Sequence, residues 1–375
     1  MTETGIDLGV LGPLRLRVDG VAVSPGTPKQ RAVLATLVLN RNRPVSTDSL
    51  IAAAWEDRPP AEAKAAMYTY VANLRRLLGS AGGRQHAILA SAPPGYRLDI
   101  ADTDCDLGRF STARSAGVHA AAAGRFGDAV TALSEALAQW RGPVLQDLRD
   151  FAFVPAFAAA MDEEKLLVHE AWAEAAIACG RSAAVIGELE TLTAAHPYRE
   201  PLWAQLITAY YVTARQADAL AAYRRVKATL ADDLGIDPST QLRALQQRIL
   251  NQEELDVVKV ARQAAVATAT AFDRRTRGTG RSAAASLRDV SGPSHPLQEA
   301  VTRIGRLGDN DIVLPDANVS RHHAVIIDSG TAFALADLGS ANGVYVAGER
   351  ITAPVTLSEG DRIRICDHEF VFEIG

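Results

Sequence analysis

The sequence predicts a multidomain α+β chain: a small domain of sheet and helices, then an all-α domain, then an all-β sandwich. Three observations predict it. Apolar residues alternate over 6–24, take up a helical period from Pro28 to about residue 250, and return to short alternating runs after residue 284. A chain of 375 residues exceeds one compact core and suits two or three domains. With 48% hydrophobic and 22% charged residues the composition is that of globular protein, and no run of about 18 apolar residues could cross a membrane.

In the first stretch Leu8 and Val10, Leu14, Leu16 and Val18, and Val21 and Val23 alternate around turn signals at Gly12-Pro13 and Asp19-Gly20, giving a small antiparallel sheet. Val33, Leu34, Leu37 and Val38 mark a helix that stops before Asn42-Arg43-Pro44. Ser46-Thr47-Asp48 caps a second helix over 49–55, and Pro59-Pro60 precedes a third over 61–78. On that third helix Ala66, Tyr70, Leu74, Leu77 and Leu78 form the expected buried face, with Lys64, Met67, Tyr68, Val71, Arg75 and Arg76 outward. Residues 88–90 and 96–98 flank Pro93-Pro94-Gly95 as a hairpin. Sheet, three helices and hairpin is the winged-helix order.

From 104 to 250 the chain reads as helix rich in Ala and Leu. The phrases starting at Gly180 and Ala214 lie 34 residues apart, and Gly124-Arg125-Phe126-Gly127-Asp128-Ala129 is an earlier copy. That period, with a small residue at the turn, is tetratricopeptide-like, with an ordinary helical bundle as the alternative. Residues 251–281 lose the pattern and read as a linker with a helical start. Strands then return over 284–290, 297–304, 311–314, 323–328, 332–338, 343–346 and 361–374, which predicts a β-sandwich. The expected division is 1–102, 103–250, 251–281 and 282–375.

The formal charge of −5 hides an asymmetry, since 12 Lys and Arg stand against 8 Asp and Glu through residue 100. The first domain is therefore the candidate for a polyanionic partner. In a winged helix the third helix enters the major groove of double-stranded DNA and its neighbours clamp phosphates. The candidate contacts are Lys64, Tyr68, Arg75 and Arg76 on that helix, with Met67 as a further base contact, and Lys29, Arg31, Arg41, Arg43 and wing Arg97 around it. Each single Arg has a solvated surface charge as its alternative. Cys105, Cys179 and Cys366 are too far apart for a disulfide framework or a zinc site and read as buried thiols, so no cofactor or metal is expected. No phosphate-loop, nucleophile-elbow or paired-carboxylate pattern points to an enzyme. The start carries Glu3 and Asp7 and leads into strand-like sequence, so no signal peptide is expected and the cytoplasm is the expected compartment.

Leu11-Gly12-Pro13-Leu14, the run 27–34 from Thr27-Pro28-Lys29-Gln30-Arg31, the run 70–78 from Tyr70-Val71-Ala72-Asn73-Leu74-Arg75-Arg76, and Pro94-Gly95-Tyr96-Arg97-Leu98 resemble the DNA-binding domain of the Streptomyces antibiotic regulatory protein family. His196-Pro197-Tyr198-Arg199-Glu200-Pro201 and Leu234-Gly235-Ile236-Asp237-Pro238 are similar to the bacterial transcriptional activation domain that follows it in that family. The resemblance implies an OmpR-like winged helix, tetratricopeptide-like helices and RNA polymerase as a further partner.

Gly305-Arg306, Ser320-Arg321-His322-His323 and Ser340-Ala341-Asn342-Gly343 follow the order and spacing of the forkhead-associated domain. That resemblance implies phosphothreonine recognition, for which a phosphate dianion needs a guanidinium fork, a hydroxyl and rigid donors. By the same resemblance Arg306 and Ser320 bind the phosphate, Arg321 adds a cation and Asn342 holds the peptide main chain. Gly305, His323, Ser340 and Gly343 shape the loops, and Val344 departs from the threonine that commonly follows the Asn-Gly pair. The residue-level alternatives are a surface ion pair at Arg306 and a plain hairpin turn at Asn342-Gly343; a metal site at His322, His323 and His368 lacks a neighbouring carboxylate or thiol ligand.

The combined architecture resembles the mycobacterial EmbR-type regulators, which implies coupling to a phosphorylated Ser/Thr protein kinase and control, as an activator, of cell-wall arabinosyltransferase genes. A phosphothreonine-binding adaptor or inhibitor of the kinase with little promoter control is the competing reading.

Overall fold

A computed structural model describes residues 5–56, 58–79, 85–276, 285–290, 292–297, 301–308, 310–328, 333–351 and 354–374. The ends of several expected segments, such as 284, 332 and 277–281, lie outside them. The chain forms two compact units, one of residues 1–111, 138–164 and 272–375, the other of 112–137 and 165–271.

The first unit opens with strands β1 (Ile6–Gly9), β2 (Arg15–Val18) and β3 (Val21–Ala22), an antiparallel sheet in that order. Helix α1 (Pro28–Leu39) is capped by Thr27, whose side chain accepts the Gln30 N–H, with Pro28 in the first turn where its missing donor does no harm. After strand β4 (Val45–Ser46), Ser46 caps α2 (Thr47–Trp55) by accepting the Ser49 N–H at 2.9 Å. Helix α3 (Ala63–Gly79), a short α4 (Gln85–Ile88) and the wing strands β5 (Leu89–Ala92) and β6 (Gly95–Leu98) follow. The order β4-β6-β5 completes a winged helix around Leu34, Leu37, Leu50, Met67, Leu74 and Leu78. The wing is the expected hairpin, while β4 is too short to leave a pattern.

The buried face of α3 corrects the sequence reading. Ala63, Met67, Val71, Leu74 and Leu78 face the core, so Met67 and Val71 are not outward. Tyr70, expected inside, is half-buried and stacks on Trp55 at 5.6 Å. Apolar residues cover so much of this helix that two faces satisfy the helical period, and packing against α1 and α2 selects one. Beyond the wing, buried Asp106 accepts the amides of Val10 and Leu11 at 2.9 and 3.0 Å and meets Arg141 Nη2 at 3.1 Å.

The chain goes on through α5 (Asp106–Ala122), α6 (Phe126–Leu137), α7 (Phe153–Ala178), α8 (Ser182–Ala195), α9 (Glu200–Val212), α10 (Gln216–Leu234), α11 (Thr240–Leu250) and α12 (Val257–Thr276), and the parts of these helices within 112–137 and 165–271 build the second unit. The three copies of the repeated phrase fold alike. Arg125 N bonds Ala120 O, Arg181 N bonds Ala176 O and Arg215 N bonds Tyr210 O, each past a left-handed residue, Gly124, Gly180 or Ala214. This closure ends each preceding helix with its last carbonyls satisfied. Leu189, Leu202, Leu206, Ala219 and Val226 then fill the interior. Helix α12 runs through most of the segment read as a linker, with buried Ala261 and Ala269 on one side.

Burial beside Glu170 pushes the Glu174 carboxyl up to about 7, burial being the larger cause. The folded state therefore holds a proton that the unfolded chain has released, and the contribution to stability present below about 4.5 is lost as pH rises through 7. Thermal melts between those limits should show that falling stability, and Glu174→Gln should flatten it.

The remaining strands belong to the first unit. They are β7 (Ser286–Asp289), β8 (Ser294–Pro296), β9 (Val301–Gly305), β10 (Ile312–Val313), β11 (Ala324–Asp328), β12 (Phe333–Asp337), β13 (Val344–Val346), β14 (Glu349–Arg350), β15 (Val355–Leu357), β16 (Arg362–Ile365) and β17 (His368–Glu373). Two sheets, β10-β9-β11-β12-β15 and β14-β13-β16-β17-β7-β8, enclose Leu287, Ile304, Ile326, Leu335, Ile365, Phe370 and Phe372. The single strand expected over 361–374 is a hairpin, because Cys366 at φ +53° reverses the chain between β16 and β17. Strands β8, β14 and β15 are too short to register as alternation.

Candidate functional site

The loops after β9, before β11 and after β12 meet at one end of the sandwich. Gly305 ends β9 where an added Cβ would collide with the Arg321 carbonyl, so the two loops approach through a residue without a side chain. Arg306 follows, exposed, its amide bonded to Ser320 O at 3.0 Å and its Nε to Val319 O at 3.2 Å. Those two bonds occupy the backbone amide and Nε and orient the terminal nitrogens. Ser320 Oγ accepts the Ala341 amide at 3.1 Å, which leaves its hydroxyl proton for another acceptor.

Fully buried His323 ties the loops together. Its Nδ1 accepts the Ser320 amide at 3.1 Å, so Nε2 carries the proton and donates to Gly343 O at 3.1 Å. Ser340 bridges the next turn, its amide on Asp337 Oδ1 at 2.7 Å and its Oγ on the Gly343 amide at 3.0 Å. Gly343 sits at φ +76°, and Val344 behind it is wholly buried in the core, where a hydroxyl would need a partner. Exposed Asn342 donates Nδ2 to Asn318 O at 2.8 Å, which directs its carbonyl oxygen away from that loop.

Arg306, Ser320, Arg321 and Asn342 thus line one cavity of about 630 Å³. Two neighbours escaped the sequence reading. Asn310 is buried and donates to the carbonyls of Leu307 and Arg321 at 2.9 and 2.8 Å. Asn318 supplies the carbonyl on which Asn342 rests. Asn310 lies in a Gly-Asp-Asn-Asp run that reads as an ordinary turn, and only its burial marks it out. Of the thiols, Cys105 is buried and raised by desolvation, whereas Cys179 and Cys366 are only half-buried.

The winged helix presents its candidates unevenly. Lys64, Tyr68 and Arg76 stand on the outer face of α3, Tyr68 at 61% exposure. Lys64 has only a loose, solvent-exposed approach to Asp48 at 4.0 Å, and Arg76 a 3.3 Å bond to Asn73. Lys29, exposed at the start of α1, lies over the Trp55 ring at 5.3 Å. Arg97 on β6 bonds Asp99 at 2.6 Å.

Other candidates meet acceptors within the fold, Arg43 while still exposed. Arg75, read as outward, donates Nε to Leu89 O and Nη2 to Ser91 Oγ, both at 2.9 Å, and covers Tyr96. It joins α3 to the wing. Arg31 pairs with Asp147, Arg41 with Asp102 at 2.8 Å and Arg43 with Asp328 at 3.7 Å. Their partners lie beyond residue 98, out of reach of any local reading.

Three family models match the chain: "Transcriptional regulatory protein, C terminal" over 23–98, "Bacterial transcriptional activator domain" over 105–250 and "FHA domain" over 302–366. The transcriptional regulatory protein EmbR of Mycobacterium tuberculosis is 62% identical over 374 residues, 100% of this chain and 96% of its own length. The regulatory protein DnrI of Streptomyces peucetius is 33% identical over 253 residues, 66% of this chain and 93% of its own. The solved structure of Mycobacterium tuberculosis EmbR in complex with a low-affinity phosphopeptide superposes with a TM-score of 0.93, covering 99% of this chain and 98% of that one. With sheet, helices and sandwich loops arranged as described, and with that identity along its whole length, the chain belongs to the EmbR family of transcriptional regulators, which join a winged helix, an activator domain and a C-terminal FHA domain.

Proposed function

We infer that this regulator takes its input as a phosphothreonine held by Arg306, Ser320 and Arg321 with Asn342 on the peptide main chain, and delivers its output through α3 in the major groove of promoter DNA. The convergence of those four side chains on one cavity carries the reading. A doubly charged phosphate there meets guanidinium and hydroxyl donors whose supporting bonds are already made, so little ordering remains to be done on binding. Gly305, His323, Ser340 and Gly343 hold the loops, as the hydrogen bonds above support.

The phosphothreonine belongs to a Ser/Thr protein kinase in the cytoplasm, the controlled genes encode cell-wall arabinosyltransferases, and RNA polymerase is the partner of the helical domain. Residues 1–102 bind DNA, 103–250 activate, 251–281 connect and 282–375 bind the phosphopeptide. Titrating the chain with a phosphothreonine peptide and its unphosphorylated twin tests the input, and equal affinity for the two would reject it.

On the DNA side the contacts fall to Lys64, Tyr68 and Arg76, with Lys29 and Arg97 on the flanks. Lys64→Ala with Arg76→Ala should lower the slope of log affinity against log salt by roughly 2, at about 0.9 for each phosphate that is no longer neutralised. Arg75→Ala should act differently, lowering the melting temperature by freeing the wing. An unchanged salt slope in the double variant would move the DNA surface elsewhere.

A further inference from the structure

The cavity beside Arg306 and Ser320 is not walled by sandwich loops alone. Its lining continues into the winged helix, with Ala52, Ala53 and Glu56 at the end of α2, and into Ala152 and Phe153 at the start of α7. All of these residues belong to the same compact unit. Two hydrogen bonds hold that wall together: Arg303 Nη1 donates to Ser49 O at 3.2 Å in a buried contact, and Glu56 Oε1 accepts the Ala152 amide at 2.9 Å.

Glu56 is the one carboxylate among the described residues that line the cavity, which Arg303, Arg306 and Arg321 line as well. It caps α2 with its amide on Ala52 O and holds φ at +53°, a conformation that a residue with a side chain adopts only where its surroundings enforce it. One carboxylate oxygen is committed to Ala152, and the other keeps capacity for a donor. The guanidinium groups draw a phosphate into this cavity, while Glu56 repels a second anion carried beside it and attracts a cation on the same peptide. The alanines and Phe153 offer apolar surface to the stem of a Lys or Arg side chain.

We propose that the phosphopeptide site is composite: the sandwich takes the phosphate, and Glu56 of the winged helix selects peptides with a Lys or Arg flanking the phosphothreonine. This rests on the reading of the cavity as a phosphothreonine site. Selectivity then belongs to the whole chain, because an isolated sandwich has three guanidinium groups at the cavity and no carboxylate from α2.

The test is calorimetric titration of the full chain with three phosphothreonine peptides that differ only in Lys, Gln or Glu on both sides of the phosphothreonine, each beside its unphosphorylated twin. Wild type should bind the Lys peptide roughly two- to fivefold more tightly than the Gln peptide, the scale of a partly exposed ion pair, and the Glu peptide more weakly still. In Glu56→Gln, which keeps an acceptor for the Ala152 amide, the Lys preference should vanish and the Glu peptide should gain. Phosphate-dependent binding with the same flank order in both proteins would overturn the role of Glu56 alone. Peptides bound no better than their unphosphorylated twins would overturn the phosphothreonine reading and the inference with it.

Discussion

Arg306→Ala should reduce affinity for a phosphothreonine peptide by roughly ten- to hundredfold, the loss expected from removing a charged hydrogen-bond donor worth about 1.5–3 kcal/mol. The geometry accounts for the size. Nε is anchored on Val319 O and the backbone amide on Ser320 O, so the two terminal nitrogens face the cavity without further loss of rotamer freedom. Arg306→Lys keeps the charge but has no Nε anchor and no planar fork, and it should recover only part of the affinity. Because Arg306 is exposed and stands outside the apolar core, the melting temperature should barely move. Titration calorimetry of the three proteins checks this, and wild-type affinity in the alanine variant would remove Arg306 from the site.

His323→Ala should be strongly destabilising, though its side chain is fully buried and stands outside the lining of the cavity. Truncation leaves the Ser320 amide and the Gly343 carbonyl without partners in a buried setting, costing roughly 1–3 kcal/mol each, and opens a void where the imidazole sat. A domain with 5–15 kcal/mol of stability, about the usual range, would be left marginal. The two loops it ties carry Ser320 and Asn342, so phosphopeptide affinity should fall together with the melting temperature. Half-buried His322 next to it should tolerate alanine far better. Equal melting temperatures for wild type and His323→Ala would show that the imidazole does not hold the loops.

The phosphate-side residues were legible because they sit in short polar motifs whose order is itself the signal. Arg306, Ser320, Arg321 and Asn342 are spread over 37 positions, yet β9, β11 and β12, paired in fixed register, return them to one end of the sandwich. Asn310 and Asn318 were not legible, since what distinguishes them is burial and a carbonyl partner. On the DNA side the sign of the charge was readable and its allocation was not. Arg31 and Arg75 look like Lys64 and Arg76 in sequence, but folding brings each an acceptor from another segment, and a guanidinium tied between segments of the fold is poorly placed to meet a phosphate.

By itself the sequence determined the succession of sheet, helices and sandwich, because alternation, helical period and turn residues are local and each segment carries its own. The repeated phrases at Gly124, Gly180 and Ala214 were legible too, and the left-handed turn there suits the two glycines, whereas Ala214 adopts it against the cost of its Cβ. Tertiary structure alone decided which face of α3 is buried, that residues 257–276 continue as helix, and that α2 walls the cavity beside Arg306. Those outcomes depend on packing between segments separated along the chain, tens of residues apart for α3 against α1 and α2 and hundreds for Ser49 and Arg303, and no local pattern encodes which surfaces will meet.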